Sequence, residues 1–188
     1  MNEVWQILCV VLLLAAAGAF LSGFAGLRKY RWVGMILILL IAIIPFAETS
    51  IWLWMRGLIG GLSILSFVLL TGYLGLHVTG KEVLDRKTRS ALYATAFTGG
   101  LLLYPATLGL SLYDPYRLGF GIILAIVVLG LSVLLWFAKR QLAAVVLVVV
   151  VLADQAQLMT SINTWDYLID PLVWIIAPFM LLRLRLQA

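Results

Sequence analysis

The chain has 188 residues, of which 64% are hydrophobic and 11% are charged, with a mean hydropathy of +1.14 and a formal net charge of +5. Soluble domains carry about 45–50% apolar and about 25% charged residues, so this composition excludes an ordinary soluble or disordered protein. It predicts an all-α fold: a polytopic transmembrane helical bundle forming a single integral membrane domain over 1–188, with no soluble domain.

Charged residues and prolines divide the chain into hydrophobic runs, and a membrane-spanning helix needs about 20 apolar residues. The runs predict about seven (six to seven) transmembrane helices, near 4–27, 33–47, 57–77, 91–112, 118–138, 142–158 and 165–182. The first run has no basic residues before it and is longer than the apolar part of a signal peptide, so we expect it to span. Pro171 and Pro178 interrupt the last run, which leaves open whether that segment crosses or re-enters the membrane.

The basic residues predict the orientation of these helices. With the N-terminus outside, Arg56 and Arg117 are the only two of the 13 basic residues on the outer side, and the other 11 face the cytoplasm. Cytoplasmic loops of membrane proteins carry an excess of Lys and Arg. We therefore expect a multi-pass protein of the bacterial inner (cytoplasmic) membrane, with a periplasmic N-terminus and a cytoplasmic C-terminus.

Several carboxylates lie deeper than the predicted outer surface. At about 1.5 Å per helical residue, Glu48, Asp154 and Asp170 come out about 18–22 Å above the inner boundary. A charge in the bilayer interior costs on the order of 3 kcal/mol, so such residues usually face a cavity or a partner. Either they pair with Arg56 and Arg117 as structural bridges, or they belong to an outer-leaflet polar pocket. The predicted pocket consists of Glu48, Arg56, Asp114, Arg117, Asp154, Gln157, Asn163, Asp166 and Asp170.

Two connecting segments favour a built site over slack loops. The sequence from Tyr113 to Arg117 predicts a tight turn, because Pro115 presets the backbone. The segment from Asn163 to Pro171 contains two acids and two aromatic residues. Asp170 directly before Pro171 is typical of a helix N-cap, which is a non-catalytic explanation for that carboxylate.

The residue inventory argues against most enzyme chemistry. His77 is the single histidine and Cys9 the single cysteine, and no cluster has the spacing of a zinc site or of a phosphate-binding loop. We therefore predict no catalytic residue, no metal and no cofactor. Paired carboxylates remain, Asp154 with Asp170 or Glu48 with Asp154, and a pair that shares a proton can act as acid and base.

Small residues predict where helices approach each other closely. Ala15–Ala19, Gly57 and Gly99–Gly100 give smooth helix faces that serve either packing within the chain or contact with another membrane subunit. The first functional hypothesis is a non-catalytic subunit or accessory protein of a membrane complex, whose outer-leaflet polar pocket binds a partner or a lipid headgroup. Membrane lipids and a second membrane protein are the expected partners, and no nucleic acid is expected.

Two other functions stay open. In size, hydrophobicity and the Ala15–Ala19 stripe the chain is similar to the substrate-binding S-components of energy-coupling-factor transporters, which implies a small-molecule carrier that depends on a separate ATPase. Those proteins typically have six helices and a cytoplasmic N-terminus, unlike the orientation predicted here. The third hypothesis is a periplasm-facing lipid or headgroup enzyme that uses the deep carboxylates.

Overall fold

The structure, a computed structural model, describes residues 2–26, 30–46, 49–59, 61–110 and 113–187. These residues form nine α-helices, one 3-10 helix and a short antiparallel pair of strands. In chain order they are α1 (Asn2–Phe24), α2 (Arg31–Ile43), β1 (Pro45–Phe46), β2 (Thr49–Ser50), α3 (Ile51–Ile59), α4 (Ile64–Thr79), α5 (Arg86–Thr107), the 3-10 helix (Pro115–Phe120), α6 (Ile122–Phe137), α7 (Gln141–Gln155), α8 (Thr164–Leu168) and α9 (Pro171–Leu186). The predicted helical fold is confirmed at this level.

Helix length gives less support to the predicted number of membrane crossings. Within the described ranges, α1 is the one helix both long and apolar enough to cross a membrane, over Glu3–Phe24. The helices α2, α4, α6 and α7 are apolar but only 13–16 residues long. Because a signal sequence or the core helix of a soluble protein also passes this test, helix length does not support a bundle of seven spans.

The helix predicted over 33–47 ends at Ile43, and that predicted over 118–138 begins as an α-helix only at Ile122. Two other predicted segments are interrupted. The run predicted over 57–77 is not one helix, because α3 ends at Ile59 and α4 begins at Ile64. The Ser63 hydroxyl accepts a hydrogen bond from the Ser66 amide at 3.2 Å, so Ser63 starts a new helix instead of continuing the previous one. The run predicted over 165–182 is divided by Ile169 and Asp170, because the residue before a proline is disfavoured in the helical conformation.

By its internal contacts the chain divides into two compact units, which are described separately. The first comprises Met1–Leu62 and Leu69–Val83. Its α1 packs against α2 so closely that a Cβ at Gly18 would lie 2.5 Å from the carbonyl oxygen of Gly34. Small side chains of α1 also bury themselves against Leu74. Close contact between small residues therefore holds this unit together.

The second unit comprises Ser63–Val68 and Leu84–Ala188. Its α5 packs against α9, and its α6 packs against α7. A Cβ at Gly100 of α5 would lie 2.1 Å from the Trp174 ring of α9, so this contact requires glycine. The 3-10 helix and α8 pack against each other and against α6, and together with their N-cap residues they carry four of the predicted polar residues, Asp114, Arg117, Asn163 and Asp166.

Candidate functional site

The later part of the segment between α7 and α9, from Asn163 to Ile169, is mostly buried, although it contains little regular structure. Trp165, Tyr167 and Ile169 are all buried. Asn163, which is also fully buried, caps α8 by accepting a hydrogen bond from the Trp165 amide at 3.0 Å. Its side-chain amide donates to the Tyr116 carbonyl at 3.0 Å. Asn163 therefore joins α8 to the 3-10 helix with both ends of one side chain.

The turn predicted around Pro115 is confirmed as the start of the 3-10 helix. Asp114 is its N-cap, and Oδ1 accepts a hydrogen bond from the Tyr116 amide at 3.0 Å. Pro115 is the first residue, where its missing N–H costs nothing. The Trp165 indole donates to the Pro115 carbonyl at 2.9 Å, which gives the turn a second tie to α8.

Asp166 accepts hydrogen bonds from two hydroxyl groups. Its Oδ2 accepts hydrogen bonds from Ser161 Oγ at 2.5 Å and from the Tyr116 hydroxyl at 3.0 Å. Burial, followed by the hydrogen bond to Asp166 and its negative charge, raises the pKa of Tyr116 to about 12. Tyr116 therefore stays protonated at physiological pH and remains a hydrogen-bond donor to the carboxylate.

Asp154 is joined to the same group of residues through a buried hydroxyl. Thr164 Oγ1 donates to Asp154 Oδ2 at 2.7 Å and lies 3.2 Å from the carbonyl oxygen of Gly119. Gly119 leaves no room for a side chain, since a Cβ there would lie 1.8 Å from Asn163 Oδ1. Hydrogen bonds thus join these residues to the 3-10 helix in one polar network, whose members outside that helix are Asp154, Ser161, Asn163, Thr164 and Asp166.

Asp170 belongs to a different contact. Its Oδ1 accepts a hydrogen bond from the Val173 amide at 2.9 Å, so the N-cap predicted for this residue is confirmed. Its Oδ2 accepts from both the amide and the hydroxyl of Ser63, each at 2.9 Å. One carboxylate therefore fixes the start of α9 and the residue that precedes α4.

The structure brings together only part of the predicted pocket. Asp114, Asp154, Asn163 and Asp166 meet in the network around Tyr116, whereas Asp170 bonds to Ser63. Arg117 and Gln157 are exposed, and Gln157 has a positive φ of 47° at the end of α7. Glu48 lies outside the described residues, as does the side chain of Arg56. Whether the nine residues act as one pocket stays a prediction.

Neither of the pairings considered for the deep carboxylates is present among the described side chains. Arg117 makes no ion pair with Asp154 or Asp170, and those two carboxylates do not hydrogen-bond to each other. Both accept from hydroxyl or amide donors instead. In the same described ranges, no three His, Cys, Asp or Glu side chains come together as a metal site would require.

The polar partners of the carboxylates were missed by sequence reasoning. Ser63, Ser161 and Thr164 supply most of the hydroxyl donors. The only available signal was local, namely the Ser-Ile-Asn-Thr sequence that leads into α8 and contains three side chains able to cap a helix. No sequence signal indicated the contact of Ser63 with Asp170, because the two residues lie more than 100 positions apart along the chain.

The small-residue stripe on α1 is occupied within the first unit. Ala15, Ala16 and Ala19 are buried together with Leu74, and Gly18 meets the backbone of Gly34. The face that resembled a docking surface of transport S-components therefore packs inside this chain. Neither protein-family models, nor curated proteins, nor solved structures show a significant match to the sequence or the fold.

Proposed function

We propose that this chain is a small multi-pass protein of the bacterial inner membrane and acts as a non-catalytic subunit or accessory of a membrane complex. Its N-terminus is periplasmic and its C-terminus cytoplasmic. The observation that carries the proposal is the exposure of large apolar side chains along whole helices. The other supports are the few charged residues and the way in which the outer carboxylates are used.

The helices α6 and α9 illustrate the exposed apolar surface. On α6 the exposed side chains are Ile122, Ile123, Ile126, Val127, Leu129, Val133, Leu134, Trp136 and Phe137. On α9 they are Ile175, Ile176, Phe179, Leu182 and Leu186. Soluble monomers rarely expose a contiguous apolar patch of more than a few hundred Å². A bilayer or a partner helix is the environment that such faces fit.

We assign the seven proposed crossings to α1, α2, α4, α5, α6, α7 and α9. The helices α3 and α8 have nine and five residues and are too short to cross. A helix of 16 residues is about 24 Å long, below the roughly 30 Å of a hydrocarbon core. We propose that the bilayer thins around the shorter helices and that flanking residues complete the crossings.

The hydrogen bonding of the carboxylates supports a structural role over a catalytic one. Asp154, Asp166 and Asp170 each accept hydrogen bonds from hydroxyl or backbone groups of the same chain. A general base needs a lone pair directed at substrate. Side chains that cap helices and hold the connecting segments together are better suited to presenting a rigid outer surface to a partner.

Membrane insertion and orientation are tested by labelling single cysteines in intact cells, in a Cys9→Ala background. We expect Ile162→Cys, in the exposed loop before α8, to react with an impermeant maleimide. Gln187→Cys at the C-terminal end should react only after the membrane is permeabilised. The reverse pattern, or extraction of the protein by alkaline carbonate, would contradict the proposed topology and membrane location respectively.

Association with a partner is tested by photo-crosslinking from α9 in the native membrane. A photoreactive amino acid at Phe179, which is 70% exposed, should give a discrete adduct with another membrane protein. The matched control is position 177 on the same helix, where Ala177 is fully buried and no intermolecular adduct is expected. Purification as a monomer without a co-purifying chain, together with no adduct from Phe179, would refute the role as a subunit.

A further inference from the structure

A half-open apolar groove lies within the second unit, beside the polar network. It is bounded by the C-terminal half of α5, the 3-10 helix and α6, and it has a volume of about 470 Å³. Its lining includes Leu102, Pro105, Leu118, Val127 and the Trp165 ring. The Trp165 indole N–H is already donated to the Pro115 carbonyl, so Trp165 brings no free donor to the groove.

Two opposite charges stand at the 3-10 helix that forms one wall of this groove. Asp114 and Arg117 are both exposed, and neither makes an ion pair with the other or with another described side chain. Three residues of 3-10 helix rise by about 6 Å, so the two charged groups start from neighbouring turns of the backbone. Asp114 and Arg117 do not line the groove themselves, but each directly precedes a residue that does, Pro115 and Leu118 respectively.

An occupant of the groove can also reach this pair of charges at its edge, because each charged residue adjoins a lining residue. Inside a bilayer an apolar groove gains little over lipid from the hydrophobic effect, so discrimination has to come from the polar end. A helix fits poorly, because two turns about 10 Å across and 11 Å long already exceed the volume of the groove. A flexible acyl chain fits it. A phosphate then faces Arg117 and an ammonium faces Asp114.

We propose that this groove binds an aminophospholipid of the outer leaflet, with one acyl chain between α5 and α6, its phosphate at Arg117 and its ammonium at Asp114. The proposal deepens the membrane role above and rests on it, because the polar end of the groove must lie at the outer surface. Phosphatidylglycerol also offers a phosphate to Arg117, but its neutral glycerol headgroup gives Asp114 no positive charge to pair with. The site therefore prefers phosphatidylethanolamine to phosphatidylglycerol.

Lipid selectivity is measured by native mass spectrometry of the purified protein in detergent, with either lipid added in turn and with identical acyl chains. We expect a phosphatidylethanolamine adduct that exceeds the phosphatidylglycerol adduct by about two- to fivefold, the size of one exposed charge contact. Soluble glycerophosphoethanolamine should not compete, because it lacks the chain that fills the groove. Equal adducts with both lipids would overturn the proposal.

A matched pair of variants tests the groove. Val127 lines it and Ile126, the preceding residue on α6, does not, yet both side chains are 58% exposed. Val127→Trp fills the groove and should remove most of the adduct, whereas Ile126→Trp should leave it unchanged. If both variants keep the adduct, the lipid is bound elsewhere and the proposal fails.

Two exposed substitutions test the charges without disturbing the packing. Arg117→Gln should weaken the adducts of both lipids, while Asp114→Asn, which keeps an oxygen to cap the 3-10 helix, should bring the ratio of the two adducts to about one. Arg185→Gln, at the opposite end of the chain's predicted topology, is the control and should change neither. If the cysteine labelling supports the outer location but these ratios do not move, the lipid site fails while the membrane role stands. If the labelling fails, the location itself is wrong.

Discussion

The first unit is held by the close approach of small residues, whereas the second adds to such contacts, as at Gly100, a set of polar side chains that bond to backbone groups. In the first, Gly18 meets Gly34 and three alanines of α1 bury themselves against Leu74. In the second, Asn163 and Asp170 each bond to two separate parts of the chain. The first unit should therefore be sensitive mainly to added volume, and the second also to lost hydrogen bonds.

The largest effect is expected from adding volume to the first unit. Gly18→Val places a branched side chain against the backbone at Gly34, which cannot move aside as a flexible side chain can, so the two helices must separate. We expect a loss of about 3 kcal/mol in the free energy of unfolding, measured with urea in mixed micelles.

Gly57→Ala is the control, because no atom lies within 4 Å of a Cβ at that position of α3. That variant should be neutral or slightly stabilising, since alanine is the better helix former. Equal losses for both variants would show that the contact between α1 and α2 is not what holds the unit.

The second largest effect is expected from removing one buried amide in the second unit. Asn163→Ala leaves the Trp165 amide and the Tyr116 carbonyl without their partner in a fully buried place. We expect a loss of about 2–3 kcal/mol in the same unfolding measurement. Gln155→Ala, an exposed amide at the end of α7, should change stability by less than about 0.5 kcal/mol. Similar values for the two would contradict the polar basis of the second unit.

A smaller loss is expected at the start of α9. Asp170→Ala removes the N-cap at Val173 and the acceptor for Ser63, at a cost of about 2 kcal/mol. Ser63→Ala removes only the hydroxyl and should cost about 1 kcal/mol. In a double-mutant cycle the loss in the double variant should fall short of the sum of the two single losses by about 0.5 kcal/mol or more. Strict additivity would mean that the contact contributes no stability.

The smallest effect depends on pH and concerns Asp85, the N-cap of α5. The hydrogen bond with Thr88 is the main cause that lowers the pKa of this carboxyl from its ordinary value of 3.8. The stabilisation is therefore complete above the unfolded-state pKa and is lost as the pH falls through the lower, folded-state value. Asp85→Ala should cost about 1 kcal/mol at pH 7, and the difference from the parent protein should shrink below pH 4. A difference independent of pH would exclude the ionised cap as its cause.

Local features of this chain could be predicted from sequence, and long-range ones could not. The cap at Asp170 and the turn at Pro115 depend on a few adjacent residues, and both are present. The helix lengths were harder to predict, because the hydrophobic sequence continues through the break between α3 and α4. Hydropathy does not register a serine that accepts a backbone hydrogen bond and starts a new helix.

The candidate site shows the same limit. The estimated depth of the carboxylates in the predicted helices identified them as candidate site residues, but the same reasoning predicted arginine as their partner. The structure instead uses Ser63, Ser161 and Thr164, which that reasoning does not single out. Hydroxyl groups satisfy a carboxylate without the cost of desolvating a second charge, and nothing in the spacing of the sequence identifies which hydroxyl will reach it.

The burial of Cys9 makes its rate of chemical modification a measure of how often the first unit opens. This thiol is the single one in the chain and is fully buried on α1 in the first unit. A thiol reagent reaches such a group only when the surrounding structure opens, so its rate of modification measures opening of that unit. Gly18→Val should accelerate the reaction and Asn163→Ala should not, if the two units open independently.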